Sequence, residues 1–325
     1  MKLQILVPQY KETEEIIKPL LDSIEVQQNV DLANEVGVII VNDGSNICLT
    51  QEFFDRYSFK IEYYSNEHKG VSATRNAALD RATADYVMFC DADDMFYNAC
   101  GLYIVFREME GNGFDSLVSA FIEESRGPNK EVLYINHDMD STFVHGKIHR
   151  RKYLLEKNIR WNDALTIHED SYFNCLCQRL AGELKYSQTP FYLWRWRDAS
   201  VCRHDPKYIL KTYNNMLDSN DALVDEFLRR ERKADARFYA TNMIYDAYFT
   251  MNKEEWLNQE NHEYRVATER RFKEYWLKHK DLHDSLPMDQ KAQIIMGIKN
   301  RMYAEGMVLE SLTFEQWIKQ VEVME

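Results

Sequence analysis

The residues best suited to chemistry lie at the end of Tyr86-Val87-Met88-Phe89-Cys90-Asp91-Ala92-Asp93-Asp94, where an apolar run that reads as a buried strand stops in three carboxylates within four positions. Carboxylates this close repel one another, and burying them is costly unless a cation neutralises them. A divalent ion at the strand's carboxyl end would resolve the conflict. Hard oxygen ligands suit Mg²⁺ or Mn²⁺, which usually keep substrate phosphates and water among their ligands. The pattern therefore points to a site for a metal-bound diphosphate. The same residues also fit a plain acidic strand-to-helix loop with an N-cap, and the segment alone does not separate the two.

The elements that must position these acids alternate through the first hundred residues. Leu3 to Val7 reads as a strand stopped by Pro8, and Thr13 to Val26 carries Ile16, Ile17, Leu20, Leu21 and Ile24 at helical spacing. Val36 to Val41 is a second buried strand ending in Asn42-Asp43-Gly44-Ser45, and Ile61 to Tyr64 is a third. Gly70 to Arg81 reads as a helix, and Tyr86 to Cys90 is the fourth strand. Strands alternating with helices predict an α/β fold with a mostly parallel sheet covered on both faces, and ligands gather outside the carboxyl ends of such strands. Strand-like segments follow at Ser116 to Glu123 and Glu131 to Ile135, and Gly146 to Leu180 looks helical, interrupted from Asn158 to Thr166. After Asp205-Pro206 the texture becomes long amphipathic helix, over Tyr208 to Leu228, Ala236 to Met251, Glu254 to Lys280 and Gln290 to Met307. Two domains are expected, 1–205 and 206–325, the second helical and serving acceptor binding or self-association.

Composition narrows the classes. A chain of 325 residues with 45% hydrophobic and 13% aromatic residues folds into a substantial core. Its formal charge of −13 argues against a broad nucleic-acid footprint, and clusters such as His149-Arg150-Arg151-Lys152 read as solvated faces. The six cysteines form no pair of Cys-x-x-Cys units, so a zinc or disulfide framework is not expected. No apolar run approaches the roughly 18–20 residues of a membrane span. A soluble, cytoplasmic protein with reduced thiols is the expectation.

Several short patterns occur in a fixed order: Val7-Pro8-Gln9-Tyr10-Lys11-Glu12, Val41-Asn42-Asp43-Gly44-Ser45, Gly70-Val71-Ser72-Ala73-Thr74-Arg75-Asn76, and Asp91-Ala92-Asp93-Asp94. They continue with Gly146-Lys147-Ile148-His149-Arg150-Arg151, Glu169-Asp170, and Tyr192-Leu193-Trp194-Arg195-Trp196-Arg197 before Ser200. Together, over residues 1 to about 205, the set resembles the family-2 glycosyltransferases with the GT-A fold.

That resemblance implies an inverting, Mn²⁺- or Mg²⁺-dependent enzyme that takes a sugar from a UDP-sugar. Pro8, Tyr10 and Glu12 would flank the uracil, and Asn42 or Asp43 would accept from its N3. Arg75 would bond the base or a phosphate, because its planar fork suits oxygen acceptors. Asp91 and Asp93 look like the family's DxD motif, with Asp91 and Ala92 near the ribose and sugar and Asp93 on the metal. His204 would add a metal or phosphate contact, Asp94 would stand behind the motif, and Arg195 and Arg197 would clamp the diphosphate. Asp170 would be the general base that takes the acceptor hydroxyl's proton, with Glu169 orienting the acceptor. His145-Gly146-Lys147 and Trp161 would lie near the acceptor, the indole offering a face to a sugar ring.

The chain departs from the family pattern at Asn42, where a second acid is common, and Trp194-Arg195-Trp196-Arg197 only partly echoes the motif of processive members. The acceptor expected is a glycan or cell-envelope polymer, with a hydroxylated nucleic-acid base disfavoured by the acidic balance. Two other readings stand beside it. A sugar-phosphate nucleotidyltransferase would need a Gly-rich, Arg-bearing triphosphate loop after the first strand, which Pro8-Gln9-Tyr10-Lys11-Glu12 is not. Against a non-catalytic sugar- or nucleotide-binding module stand the intact Asp91, Asp93 and Asp170, and turnover decides between the two.

Overall fold

The computed structural model describes residues 1–111, 113–198, 208–258, 260–304 and 312–324. In chain order its elements are β1 (Leu3–Gln9), α1 (Glu14–Glu25), α2 (Leu32–Glu35), β2 (Val36–Asn42), α3 (Gln51–Phe54), β3 (Lys60–Ser65), α4 (Val71–Arg81), β4 (Tyr86–Phe89) and β5 (Met95–Phe96). There follow α5 (Gly101–Met109), β6 (Ser116–Arg126), β7 (Val132–His137), β8 (Lys147–Arg150), α6 (Arg151–Glu156), α7 (Glu169–Arg179) and β9 (Leu184–Trp194). The last stretch is helical: α8 (Tyr208–Lys211), α9 (Tyr213–Arg229), α10 (Lys233–Met251), α11 (Glu254–Leu257), α12 (His262–Asp284), α13 (Met288–Ala304) and α14 (Phe314–Val323). The chain divides into two compact units, Met1–Ser200 and Val201–Glu325.

Among the described residues the first unit holds one nine-stranded sheet in the order β3-β2-β1-β4-β8-β6-β9-β5, with β7 on β6. From β3 to β4 all pairs are parallel. Beyond β4 the sheet is mixed: β8 runs antiparallel to both β4 and β6, while β6 and β9 are parallel. The continuous apolar runs of β1, β2 and β4 suit strands covered on both faces, and nearly all their residues are buried. Their side chains and those of α1 build the main core, with Ile17, Leu20, Leu21 and Ile24 wholly buried.

Strand β1 runs through Pro8 to Gln9 rather than stopping before it, and the reason creates the site. The amide of Cys90 donates to the carbonyl of Leu6, so the polar groups of Leu6, and two residues on those of Pro8, face β4. The β1–β4 register ends at Leu6↔Phe89, whereas β1–β2 pairing continues to Gln9↔Asn42. Proline's missing N–H therefore falls where β4 has already turned away, a position a ladder tolerates. The two strands part there, and Asp91 to Asp94 lie in the opening.

Further segments differ from expectation, Tyr208 to Leu228 among them, which is two helices, α8 and α9. Lys147–Arg150, inside a stretch with helical periodicity, is a strand, because the open edges of β4 and β6 supply ladders on both sides. The segment Glu254 to Lys280 is two helices, α11 and α12, with Asn261 capping the second by accepting from the amide of Tyr264. The helical unit packs around Tyr213, Trp256, Phe272, Tyr275, Trp276 and Trp317. No helix among the described residues is long and apolar enough to cross a membrane.

The turn after β2 depends on Gly44, which has φ +73° and where a Cβ would stand 2.4 Å from the backbone nitrogen of His68. Gly44→Ala should lower the unfolding free energy by roughly 2 kcal/mol or more, read as a shift in urea midpoint at unchanged slope. A loss below about 0.5 kcal/mol would contradict this close approach.

Candidate active site

A cavity of about 300 Å³ opens where β1 and β4 part, lined by residues that include Pro8, Tyr10, Glu12, Asp43, Asp91, Ala92 and Asp93. Asn42 does not face it. Its side chain is fully buried, donating to the carbonyls of Ser45 and Ile47 (3.1 Å each) and accepting from the Ser45 amide at 2.8 Å. Asn42 thus shapes the turn and leaves the cavity to Asp43. The Asp43 carboxylate accepts from the amides of Lys69 (2.8 Å) and Gly70 (3.0 Å), and His68 Nδ1 lies 2.8 Å from it. The His68 ring stacks on half-exposed Tyr10 with centroids 4.7 Å apart. His68 had no signal in the sequence, since it sits in an irregular stretch and reaches the site only through the fold.

The acids after β4 divide by depth. Asp91 and Asp93 are half-buried, while Asp94 is 1% exposed and accepts from the Tyr192 hydroxyl (2.5 Å) and the Arg195 amide (2.9 Å). Burial, then the neighbouring Asp93 and Asp91 charges, pushes the Asp94 carboxyl far above the usual range. Burial and Asp94 raise the Tyr192 phenol likewise. Asp94 therefore acts as an anchor, tying the motif to β9 and the start of the segment that carries Arg195 and Arg197. Arg197 donates to Asp93 at 2.8 Å and lies 3.7 Å from Glu12, and Arg195 donates to the Asp93 carbonyl at 3.1 Å.

Arg75 joins the two acidic motifs. It projects from α4, is 4% exposed, and donates to Asp91 and to Glu169, each at 2.9 Å. Its guanidinium lies 4.4 Å from the centre of the Trp161 ring. Burial works against its charge, but Asp91, Glu169 and Asp170 hold it on. The fork is thus turned to carboxylates, not offered to a base or a phosphate. Trp161, expected to present its face to a sugar, is 2% exposed and stacked on Phe173 at 4.1 Å. It backs the arginine from inside the core. His145 and Lys147 are also buried, and Lys147 donates to the carbonyls of Phe143 and His145.

Glu169 and Asp170 open α7, where the helix dipole favours negative charge. Burial outweighs that: the Asp170 carboxyl is pushed up to about 7, first by desolvation and then by the Glu169 charge, with Arg75 and the Ser171 amide opposing. A carboxyl poised near neutrality is well matched to taking a proton from a hydroxyl.

The donor set also fits a divalent cation. Asp91 and Asp93 line the cavity, and each gives one carboxylate oxygen to a guanidinium, Asp91 Oδ1 to Arg75 and Asp93 Oδ2 to Arg197, which leaves its second hard oxygen for a cation. Among the described residues, ligand atoms of Asp91, Asp94 and His145 lie within 4.8 Å of one another. His204 lies outside the described residues. The similar grouping of Asp221, Asp225 and His279 in the helical unit is bridged by Arg271 and Lys278 and is an ion-pair network.

With this geometry in hand, residues 4–178 match the family model described as Glycosyl transferase family 2. Glycosyltransferase GlyA of Streptococcus pneumoniae is 27% identical over 230 residues, covering 62% of this chain and 32% of that protein. Poly(ribitol-phosphate) beta-N-acetylglucosaminyltransferase TarS of Staphylococcus aureus is 25% identical over 190 residues, covering 53% and 32%. The chain thus spans about a third of the length of these two relatives. The crystal structure of S. aureus TarS 1-349 in complex with UDP-GlcNAc superposes with a TM-score of 0.64 at 18% identity, over 94% of this chain and 92% of that one. The GT-A fold is shared.

Replacing Arg75 by Met leaves Glu169 and Asp91 without their common cation in a largely buried setting. The variant should lose on the order of 3 kcal/mol in urea denaturation, the cost typical of breaking a buried pair. A loss under about 0.5 kcal/mol would mean that the bridge carries little.

Proposed function

The chain belongs to glycosyl transferase family 2, and from that membership we propose that it is an inverting, metal-dependent enzyme moving a sugar from a UDP-sugar to a hydroxyl of a glycan or cell-envelope polymer. The observation that carries the reading is the Arg75 bridge, which brings the cavity acids and the Glu169-Asp170 pair into one site. A nucleotide-binding module would have no need of the second pair.

In this reading Tyr10 and His68 receive the uracil and Asp43 accepts from its N3–H. Asp91 and Asp93 would hold the divalent cation together with the donor's diphosphate; when bound, such an ion offsets the charge that builds on the leaving UDP. Arg197, already on Asp93 and near Glu12, turns to the diphosphate. Asp170 takes the proton of the acceptor hydroxyl as its oxygen attacks the anomeric carbon from the face opposite UDP. The new C–O bond forms as the bond to the β-phosphate oxygen breaks, the electron pair leaves on UDP, and the anomeric configuration inverts. Two findings support the donor and acceptor classes: TarS has been solved with UDP and with UDP-GlcNAc, and its name gives poly(ribitol-phosphate) as its acceptor.

UDP release across a set of sugar nucleotides, UDP-GlcNAc first, should appear with Mn²⁺ and vanish in EDTA, and Asp93→Ala should lose Mn²⁺ binding in calorimetry. Release that persists in EDTA would overturn the metal assignment. Asp170→Asn should cut transfer by roughly two to four orders of magnitude while UDP affinity stays near that of the parent; loss of UDP binding would remove Asp170 from the base role. The base works only when ionised, so transfer should fall as pH drops below about 7, following the raised Asp170 carboxyl. A rate independent of pH between about 5 and 8 would contradict it.

A further inference from the structure

With Trp161 buried, the site needs another surface for the acceptor, and a group of aromatic side chains stands beside it. Tyr192 of β9, Phe121 of β6 and His137 of β7 are in register across three strands, as are Trp194, Glu123 and Ile135. Residues paired in this way and two apart along a strand share one face of the sheet. Phe143 lies on that face, 5.3 Å from Trp194 between ring centres, and stacks on His145 at 5.6 Å. Beneath them Phe121, His145 and Tyr192 are buried, whereas Phe143, Trp194, His137 and Glu123 keep part of their surface open. The outer layer is therefore aromatic, with one polar pair, His137 Nε2 2.7 Å from Glu123.

Its position is fixed on both sides. On the donor side His145 lies 3.7 Å from Asp94, the anchor of the acidic motif. On the base side, Asn174 of α7 donates to the carbonyls of Thr142 (2.7 Å) and Phe143 (2.9 Å). Asp170 is four residues before Asn174, hence on the same face of α7 and one turn away, about 5–6 Å. Lys147, which donates to the Phe143 carbonyl, also feels the Asp170 charge.

Resting on the transfer reaction proposed above, we propose that Phe143 and Trp194, with the Glu123–His137 pair, form the wall that receives a pyranose ring of the acceptor. Aromatic faces pack against the C–H face of such a ring. Glu123 and His137 supply partners for its hydroxyls. The carboxylate of Glu123 disfavours an acceptor phosphate at this wall, and the Lys147 ammonium is buried against backbone carbonyls.

The test is saturation-transfer NMR with methyl β-pyranosides of glucose, galactose and N-acetylglucosamine as probes, irradiating protein aromatic protons, with and without UDP and Mg²⁺. Transfer to the ring C–H protons of at least one probe is expected, reduced at least fivefold in Phe143→Leu, which retains an apolar side chain against Phe121 but has no aromatic face, and retained in Phe143→Trp. Thermal unfolding of each variant establishes that it is folded. Absence of transfer to every pyranoside, or undiminished transfer in folded Phe143→Leu, overturns the proposal. UDP affinity measured by calorimetry stands apart: its absence would sink the donor reading while leaving the wall's signal to be judged alone.

Discussion

The site depends on one buried cation. Arg75 sits inside the protein with its guanidinium shared between Asp91 and Glu169, and a charge so placed is stable only while its partners remain. The consequence runs in both directions. The arginine needs both carboxylates as partners, and the carboxylates, which would repel one another, need the arginine to lie so near together. Trp161 and Phe173, stacked behind it, fix the plane of the fork from within the core.

From that constraint the functional geometry follows. The parting of β1 and β4 at Pro8 opens the cavity, and the acids placed there are graded by depth. Asp94 is buried and spent on Tyr192 and the Arg195 amide, whereas Asp91 and Asp93 keep oxygens toward the cavity. On the other side of Arg75, Asp170 is partly buried and accepts from the Ser171 amide rather than from the arginine, and its carboxyl rises to about 7. One interaction thus separates acids suited to a cation from an acid suited to a proton, a division that environment makes among chemically alike groups.

Much of this was legible in the sequence where the signal is local. The uninterrupted apolar runs of β1, β2 and β4 need no context to read as buried strands, and the order of short acidic and glycine-bearing patterns pointed to the GT-A fold shared with TarS. What was not legible was set by distant partners. Lys147-Ile148-His149-Arg150 has no strand periodicity of its own and becomes β8 only between two open edges. Arg75 bonds residues 16 and 94 positions away, so its type suggested a phosphate ligand and its surroundings made it a bridge. Trp161, expected to offer a face to a sugar, packs in the core on Phe173 and Phe89 with Arg75 over its ring, while His68 enters the site through a loop without periodicity.

A crystal structure with UDP-GlcNAc and Mn²⁺ bound would show whether Arg75 joins the cation acids to the base. The ion should lie on Asp93 and Asp91, the anomeric carbon should face Asp170, and Arg75 should stay within hydrogen-bond reach of Glu169. An ion elsewhere, or an Arg75 swung onto the base or diphosphate with Glu169 released, would contradict this.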